Sequence, residues 1–453
     1  MKTSKVSVAL KDSGLVDLKG LQLQRTKTDY QVIDTFTLPK NLNFEHQYAS
    51  LYYQRLTQLK KASCLTAKKL WPDCPPFLES LLHIQEGVYC CVAGTLYRET
   101  LLKANTIDEF IAERALVVQP KRDKYISKGD VIYLEDESGR IALSGSLPYD
   151  SALTGIVIIV CGKEVNQSFE VEKYTFPGMA EQVKPPLNRL AGSEKKVCLI
   201  SGIEMEANYR HNNSLQLLID YLLGFLGDEK QQKESSKIAR LIVAGNLLSR
   251  TATVEAAKIV QSSKKESLKD EIVTPLNNLD AFFAQLASGI PITLLPGEND
   301  PSSVLLPQQS LHWCLFPSMG NFPNSWECVT NPYNAVIDNI EFLGTSGQNV
   351  DDVYKYIPTN DRLRILKQML YWRHLAPTSP DTLGCYPYAM FDPFIIERTP
   401  HIFFAGNQPE FKKEIIDEGG VHVTIISVPS FSKTKVAVIV DLYTLDASAI
   451  SFA

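Results

Sequence analysis

Histidine is scarce in this 453-residue chain, at seven copies, and no two cysteines form a Cys-x-x-Cys pair. Those residue types make most zinc sites, and their spacing here matches no finger or ribbon pattern. No apolar run approaches the roughly 18 residues that a membrane helix needs, since stretches such as Ile156–Cys161 fall far short. Met1–Gly20 lacks the apolar core of a signal peptide. Positive charge is not in excess: 46 Lys and Arg stand against 51 Asp and Glu, a net charge of −5. A chain so balanced is poorly suited to gripping nucleic acid through its phosphates, although a local basic groove stays open. The Gly-x-x-x-x-Gly-Lys-Ser/Thr, His-Glu-x-x-His and Gly-x-Gly-x-x-Gly motifs are absent. Gly344-Thr-Ser-Gly lacks the Gly-x-Ser-x-Gly form of a hydrolase elbow and reads as a turn.

What is present is ordinary for a globular protein: 44% hydrophobic and 21% charged residues. The length suggests two to three domains at ~150 residues each. The nine scattered cysteines are expected to be buried thiols in a reducing compartment, cytosolic or nuclear. Without a signal peptide, Asn166-Gln-Ser and Asn212-Asn-Ser are not expected to carry glycans.

Residues 1–40 are polar and slightly basic and read as a mobile tail. Phe44, Tyr48, Leu51, Tyr52, Leu56 and Leu59 recur at three- and four-residue steps, predicting a helix over 44–61. Short strand patterns follow near Gly87, Asp130, Arg140, Leu153 and Ser168, separated by Gly and polar turns. Five such strands suggest a small closed barrel of OB type, so 41–180 reads as helix plus barrel. Residues 181–195 carry Pro and charge without periodicity and read as a linker. Over 196–453, strands and helices alternate and then strands run consecutively. Strands are predicted near Val197, Arg240, Pro291, Val336, His401, Val421 and Val436. Helices are predicted over 214–226, 253–260, 276–286 and 362–372, and this pattern describes an α/β sandwich with mixed sheets. Asp228–Lys237 and Gln261–Glu271 read as solvated loops.

In such sheets ligands sit beyond the carboxyl ends of strands. Four strands end in small-residue turns bearing a polar group: Ser201-Gly-Ile-Glu204, Gly245-Asn-Leu-Leu-Ser249, Gly297-Glu-Asn-Asp300 and Gly406-Asn-Gln-Pro409. Their order and spacing resemble the calcineurin-like metallophosphoesterases, which place Asp and His at such turns to hold two cations. Here the matching positions read Gly202, Glu204, Asn246, Ser249, Glu298, Asn299, Asn407 and Pro409. A two-cation clamp on phosphate needs anionic or imidazole ligands, and most are replaced. Glu204, Glu298 and Asp300 leave oxygens for at most one weakly held hard cation.

A second resemblance is more specific. It is carried by Pro296-Gly-Glu-Asn-Asp-Pro-Ser-Ser-Val-Leu-Leu-Pro-Gln-Gln-Ser-Leu-His312, Thr330-Asn-Pro-Tyr333, Leu343-Gly-Thr-Ser-Gly-Gln-Asn-Val-Asp-Asp352, His374-Leu-Ala-Pro-Thr-Ser-Pro-Asp381 and Phe404-Ala-Gly-Asn-Gln408. Gln47-Tyr-Ala, Gly94-Thr-Leu-Tyr97 and Leu134-Glu-Asp-Glu-Ser-Gly-Arg140 continue it toward the N-terminus. In this order they resemble the small (B) subunits of replicative DNA polymerases, and the Gly344-Thr-Ser-Gly-Gln-Asn-Val350 string favours the delta type over alpha and epsilon. The resemblance implies an α/β plus all-β protein: an OB-type barrel followed by a phosphoesterase-like sandwich with a degenerate centre. It also implies a nuclear, noncatalytic accessory subunit, with no cofactor. Its partners would be the catalytic subunit, through a cysteine-rich C-terminal module, and a third small subunit. Two alternatives are an active metal-dependent phosphodiesterase or exonuclease, against which the ligand losses speak, and a single-strand DNA binder using the barrel. The second needs aromatic rings within a basic groove, and no such stripe is evident. His312 and His374 read as packed or hydrogen-bonded, Asp381 and Asp392 as turn-formers beside prolines, and Lys121-Arg-Asp-Lys124 as a solvated barrel loop.

Overall fold

The computed structural model describes residues 23–102, 122–184, 194–207, 213–250 and 268–453. These described residues form two compact units, those within 1–38, 184–347 and 400–453 in one and those within 39–183 and 348–399 in the other. Expectations for 1–22, for most of the 181–195 segment, for the 253–260 helix and for Lys121 lie outside the described residues.

The segment expected to be a mobile tail is partly built into the first unit. Its strand β1 (Tyr30–Val32) pairs antiparallel with residues 335–337. Arg25 is nearly enclosed and donates to the carbonyls of Leu222, Ser235 (3.2 Å), Ile238 (2.6 Å) and Gly289 (2.7 Å). Those carbonyls sit at or beside helix C-termini, where acceptors lack intrahelical partners.

In the second unit, helix α1 (Ala49–Leu70) buries Leu51, Arg55, Leu59, Ser63 and Ala67, one residue every four. Strands β2 (Phe77–Leu78), β3 (Cys90–Glu99), β4 (Val131–Glu135), β5 (Arg140–Gly145), β6 (Val157–Val165) and β7 (Ser168–Thr175) follow. The order β3-β4-β5-β7-β6 closes through a β6–β3 pairing, with β5 and β7 parallel and β2 added outside. This is the expected five-stranded barrel. The α1 face packs on it through Ala67, Ala93 and Ile159, where two small side chains let helix and strand approach. Asn166 and Gln167 both have positive φ (50° and 63°) in the two-residue turn joining β6 to β7. Cys91 faces Cys161 in the β3–β6 register, their Cα atoms 4.2 Å apart, and the two form a disulfide. The expectation of thiols throughout is corrected at this pair: cross-strand register brings together residues 70 apart in sequence.

The first unit continues with β8 (Lys196–Ile200), α2 (Asn213–Leu223), α3 (Glu229–Ser236), β9 (Ile238–Ala244), α4 (Leu268–Ala287), β10 (Ile292–Leu295), β11 (Trp326–Cys328), β12 (Tyr333–Ile337) and β13 (Ile340–Thr345). Then α5 (Gln348–Tyr356) and α6 (Arg362–Trp372) belong to the barrel unit. The first unit closes with β14 (Ile402–Gln408), β15 (Lys412–Glu418), β16 (Val421–Pro429), β17 (Val436–Asp441) and β18 (Ala447–Ser451). Its two six-stranded mixed sheets run β1-β12-β13-β14-β16-β15 and β11-β10-β9-β8-β17-β18. In β8, Val197 and Leu199 enter the core between the sheets, whereas Cys198 and Ile200 pack under α2 and α4. Burial on both faces explains the unbroken apolar run of that strand.

Three sequence expectations change. Asp228–Lys237 is mostly helix α3, because Asp228 and Gln231 form a reciprocal cap at its start. The strand read over 336–343 is a hairpin, turned at Asp338 and Asn339 with φ 49° and 64°. Residues 348–399 cluster with the barrel and not with the sandwich sequence that flanks them.

Candidate functional site

Strands β8, β9 and β10 are mutually parallel, as are β13, β14 and β16. Their carboxyl ends converge within the first unit. The Gly202 amide donates to the Gly245 carbonyl (2.9 Å) and the Glu204 amide to the Asn246 carbonyl (3.0 Å). The Asn299 amide donates to Asn246 Oδ1 (3.2 Å). Asn407 Nδ2 donates to the carbonyls of Ala244 (3.1 Å) and Ser346 (2.8 Å), and its amide to Ser201 Oγ (2.8 Å). Sequence reasoning thus names five residues that the fold does bring together: Gly202, Glu204, Asn246, Asn299 and Asn407. Glu204, Asn246 and Asn407 hold left-handed backbone, φ 50°, 52° and 57°, a strain that persists only where surrounding structure enforces it. The other three sit apart from this cluster. Glu298 and Pro409 are exposed, and Ser249 is buried with its amide on the Met205 carbonyl.

The chemistry of the cluster is that of neutral donors and acceptors. Gly202 has φ +60°, and a Cβ there would lie 2.5 Å from Ser430 Oγ and 2.7 Å from Asn407 Oδ1. An aspartate at this turn therefore needs Ser430 and Asn407 to shift. Asn407 Oδ1 is buried without a hydrogen-bond partner. Asp300 is buried, with Oδ1 accepting from the Leu247 and Leu248 amides (2.8 and 3.0 Å) and Oδ2 from the Gly297 amide (2.8 Å). Burial raises its pKa to about 6 against the pull of those amides. Asp300 thus holds its own turn and is unavailable to the single cation considered from sequence. Glu204 accepts from Ser432 Oγ at 2.6 Å. Among the described residues, no three His, Cys, Asp or Glu side chains gather as a metal cradle. These residues do not fit the two-cation clamp of the phosphoesterases. Ser201, Ser346, Ser430 and Ser432, which fill the strand ends, carry no sequence signal that distinguishes them from any other serine.

A second polar cluster lies in the barrel unit; His374 is packed and hydrogen-bonded as expected, and Arg55 is the member that sequence reading misses. Arg55, His374 and Asp392 are fully buried. Arg55 Nε donates to Asp392 Oδ2 (2.8 Å), and its terminal nitrogens donate to the carbonyls of Gly155 (3.0 Å), Pro377 (2.9 Å) and Ser379 (2.8 Å). His374 Nδ1 accepts the Ala376 amide (3.2 Å), so its proton sits on Nε2 and is donated to Asp392 Oδ2 (2.9 Å). Burial first, then the Arg55 charge, lower the imidazole to about 4 despite Asp392, and Asp392 is held well below the carboxylate range by His374 and Arg55. Asp392 is therefore an ion-pair member as well as a turn-former, since it also accepts the Phe394 amide (3.0 Å). His312 is exposed, not packed, and its Nδ1 accepts the Cys314 amide (3.2 Å), so only the hydrogen-bonded reading holds. Lys124 faces no open groove. It donates to the carbonyls of Tyr354, in the last turn of α5, and of Ile357 and Thr359 just beyond it (2.7, 3.0 and 2.7 Å).

Residues 47–174 match the family model for the DNA polymerase delta subunit OB-fold domain, and 197–413 match the model for the B subunit of DNA polymerase alpha/epsilon. The chain is 35% identical over 436 residues to a DNA polymerase delta small subunit of Oryza sativa, covering 95% of this chain and 99% of the relative. It is 33% identical over 433 residues to DNA polymerase delta subunit 2 of Drosophila melanogaster (94% and 98%). Identity to the DNA polymerase delta small subunit of Saccharomyces cerevisiae is 30% over 462 residues (91% and 90%). With identity at this level sustained across nearly every residue of both chains, this protein belongs to the family of DNA polymerase delta small subunits.

Proposed function

We propose that this accessory subunit of DNA polymerase delta is catalytically silent, its eight strand-end positions being degenerate phosphoesterase ligands. It joins the catalytic subunit, through that subunit's cysteine-rich C-terminal module, to a third small subunit. The setting is replication and repair synthesis in the nucleus, with DNA contact weak or indirect. The domains proposed are a 41–180 helix and barrel, a 181–195 linker and an inactive phosphoesterase-like region from 196, with residues 348–399 packed on the barrel unit. The observation that carries silence is Gly202: Ser430 and Asn407 occupy the space a ligand side chain needs. Hydrolysis of a phosphodiester and of single-stranded DNA by the purified chain with manganese tests it. No turnover above background is expected. Turnover that survives purification and disappears in a Glu204→Ala variant, at the one carboxylate in the cluster, would overturn the reading.

A further inference from the structure

Within the barrel unit, a cleft of about 520 Å³ opens beside the first turns of α1, floored by Tyr52, Leu56 and Thr95 and flanked by Tyr53 and Ala389. That volume lies in the range of sites that receive ligand groups, ~300–1,000 Å³. One wall is the β4–β5 turn, Glu135, Asp136 and Glu137, and among the described residues no Lys, Arg or His lines the cleft. Asp136 is spent on backbone amides, those of Ser138 and Gly139 in its own turn and that of Leu81 from elsewhere in the unit. Glu135 pairs with Arg140, while Glu137 stands exposed at the turn tip. Three carboxylates against one guanidinium leave this wall negative.

An apolar lip adjoins the cleft: Tyr53 lines it and is 51% exposed, and Met390 and Phe391, which follow the lining residue Ala389 in sequence, are 80 and 49% exposed. Phe391 ends a row of ring contacts through the buried Tyr388 and Tyr386 to the exposed Phe44, at 5.1, 5.0 and 5.3 Å between centroids. Large exposed rings gathered in one place mark interaction surfaces, and aromatic anchors are what such surfaces use. A small molecule filling the cleft would leave this lip wet, whereas a polypeptide covers both.

We infer that this cleft receives a segment of a partner subunit in which an apolar or aromatic side chain is flanked by lysine or arginine. The apolar group fills the space over Tyr52 and Leu56, and the cation meets the acidic wall. The inference rests on the scaffold reading proposed above.

The test uses the full chain reconstituted with the catalytic and third subunits, carrying the photocrosslinker p-benzoylphenylalanine in place of Tyr53. A crosslink to one segment of another subunit, with Lys or Arg within about four residues of the attachment, is expected. Tyr53→Ala and Met390→Ala should each weaken that subunit's affinity by roughly tenfold. Glu137→Lys should weaken it more at low salt than at high salt. All three positions are exposed, so the melting of each free variant should match the parent and separate contact from folding. A complex that assembles without a crosslink at position 53 overturns this inference and leaves the scaffold reading standing. A crosslink to a second copy of the chain, or to a segment without basic residues, also overturns it. Failure to assemble overturns both.

Discussion

Replacing Arg55 with methionine removes the cation from the buried cluster and leaves Asp392 facing only a neutral imidazole and one backbone amide. Methionine fills much of the arginine stem, so the cavity contribution is small. Three carbonyls, those of Gly155, Pro377 and Ser379, lose their donor as well. Leaving one partner of a buried pair uncompensated destabilises by about 3–5 kcal/mol, and the orphaned carbonyls put this site at the upper half of that range. The barrel unit has roughly 200 residues, for which about 4 kcal/mol corresponds to a melting shift of about 10 °C. The assay is thermal unfolding of the purified chain at neutral pH, followed by circular dichroism and repeated with urea. An Arg55→Met/Asp392→Leu double variant should recover part of the loss, because its cluster no longer contains an unpaired charge. A shift under about 2 °C for Arg55→Met, or a double variant less stable than the two single losses combined, would refute the reasoning.

Three other outcomes follow from the same geometry. His374 falls from its ordinary 6.5 to about 4 on folding. As pH drops from 6.5 toward 4 the unfolded chain takes up a proton that the folded chain refuses, and about 3 kcal/mol of stability is lost. Asp300, raised to about 6, acts oppositely, its folded form keeping a proton between 3.8 and 6. The parent should therefore lose more stability than a His374→Gln variant over this window, and equal slopes in urea titrations would count against the neutral tautomer. Arg25→Ala removes charge-assisted bonds to four carbonyls and should destabilise by about 2–4 kcal/mol, at ~1.5–3 for each such bond before water replaces some of them. Denaturant midpoints check it, and an unchanged midpoint would return the segment to the status of a loose tail. Gly202→Asp should destabilise by about 1–3 kcal/mol through φ strain and overlap with Ser430, and manganese-dependent hydrolysis should stay at background. A folded, active Gly202→Asp chain would show the turn to be roomier than described.

Sequence reading succeeds where one physical pattern dominates. The four-residue rhythm of α1, the alternation of the barrel strands and the small-residue strand ends are all periodic or compositional. It fails where tertiary context decides. Arg55 occupies a position in the Leu51–Leu59 stripe that periodicity assigns to the core, yet arginine is rarely read as core. Three of its four partners lie more than 300 residues away and the fourth, Gly155, lies 100 away, where no local signal reaches. Arg25 and β1 read as a tail because a polar segment looks alike whether solvated or bound to helix ends and a sheet edge. The α3 helix is too polar for periodicity, and only its cap pair announces it. Five of the eight strand-end residues named from the phosphoesterase resemblance do cluster, but the serines that close the site carry no signal, since a turn serine looks the same wherever it points. The Cys91–Cys161 pair depends on strand register, which the sequence pattern leaves open.

The central claim is that this subunit works by holding other chains and not by its own chemistry. The most direct measurement is the melting point of the full chain alone, with the C-terminal cysteine-rich segment of the catalytic subunit, and with divalent metal alone. A ligand that binds only the native state at ~100 times its Kd adds about 2.7 kcal/mol. The segment should therefore raise the melting point by several degrees, and metal alone should leave it unchanged. An unchanged melting point with the segment, or a large rise with metal alone, would contradict the account and restore a metalloenzyme.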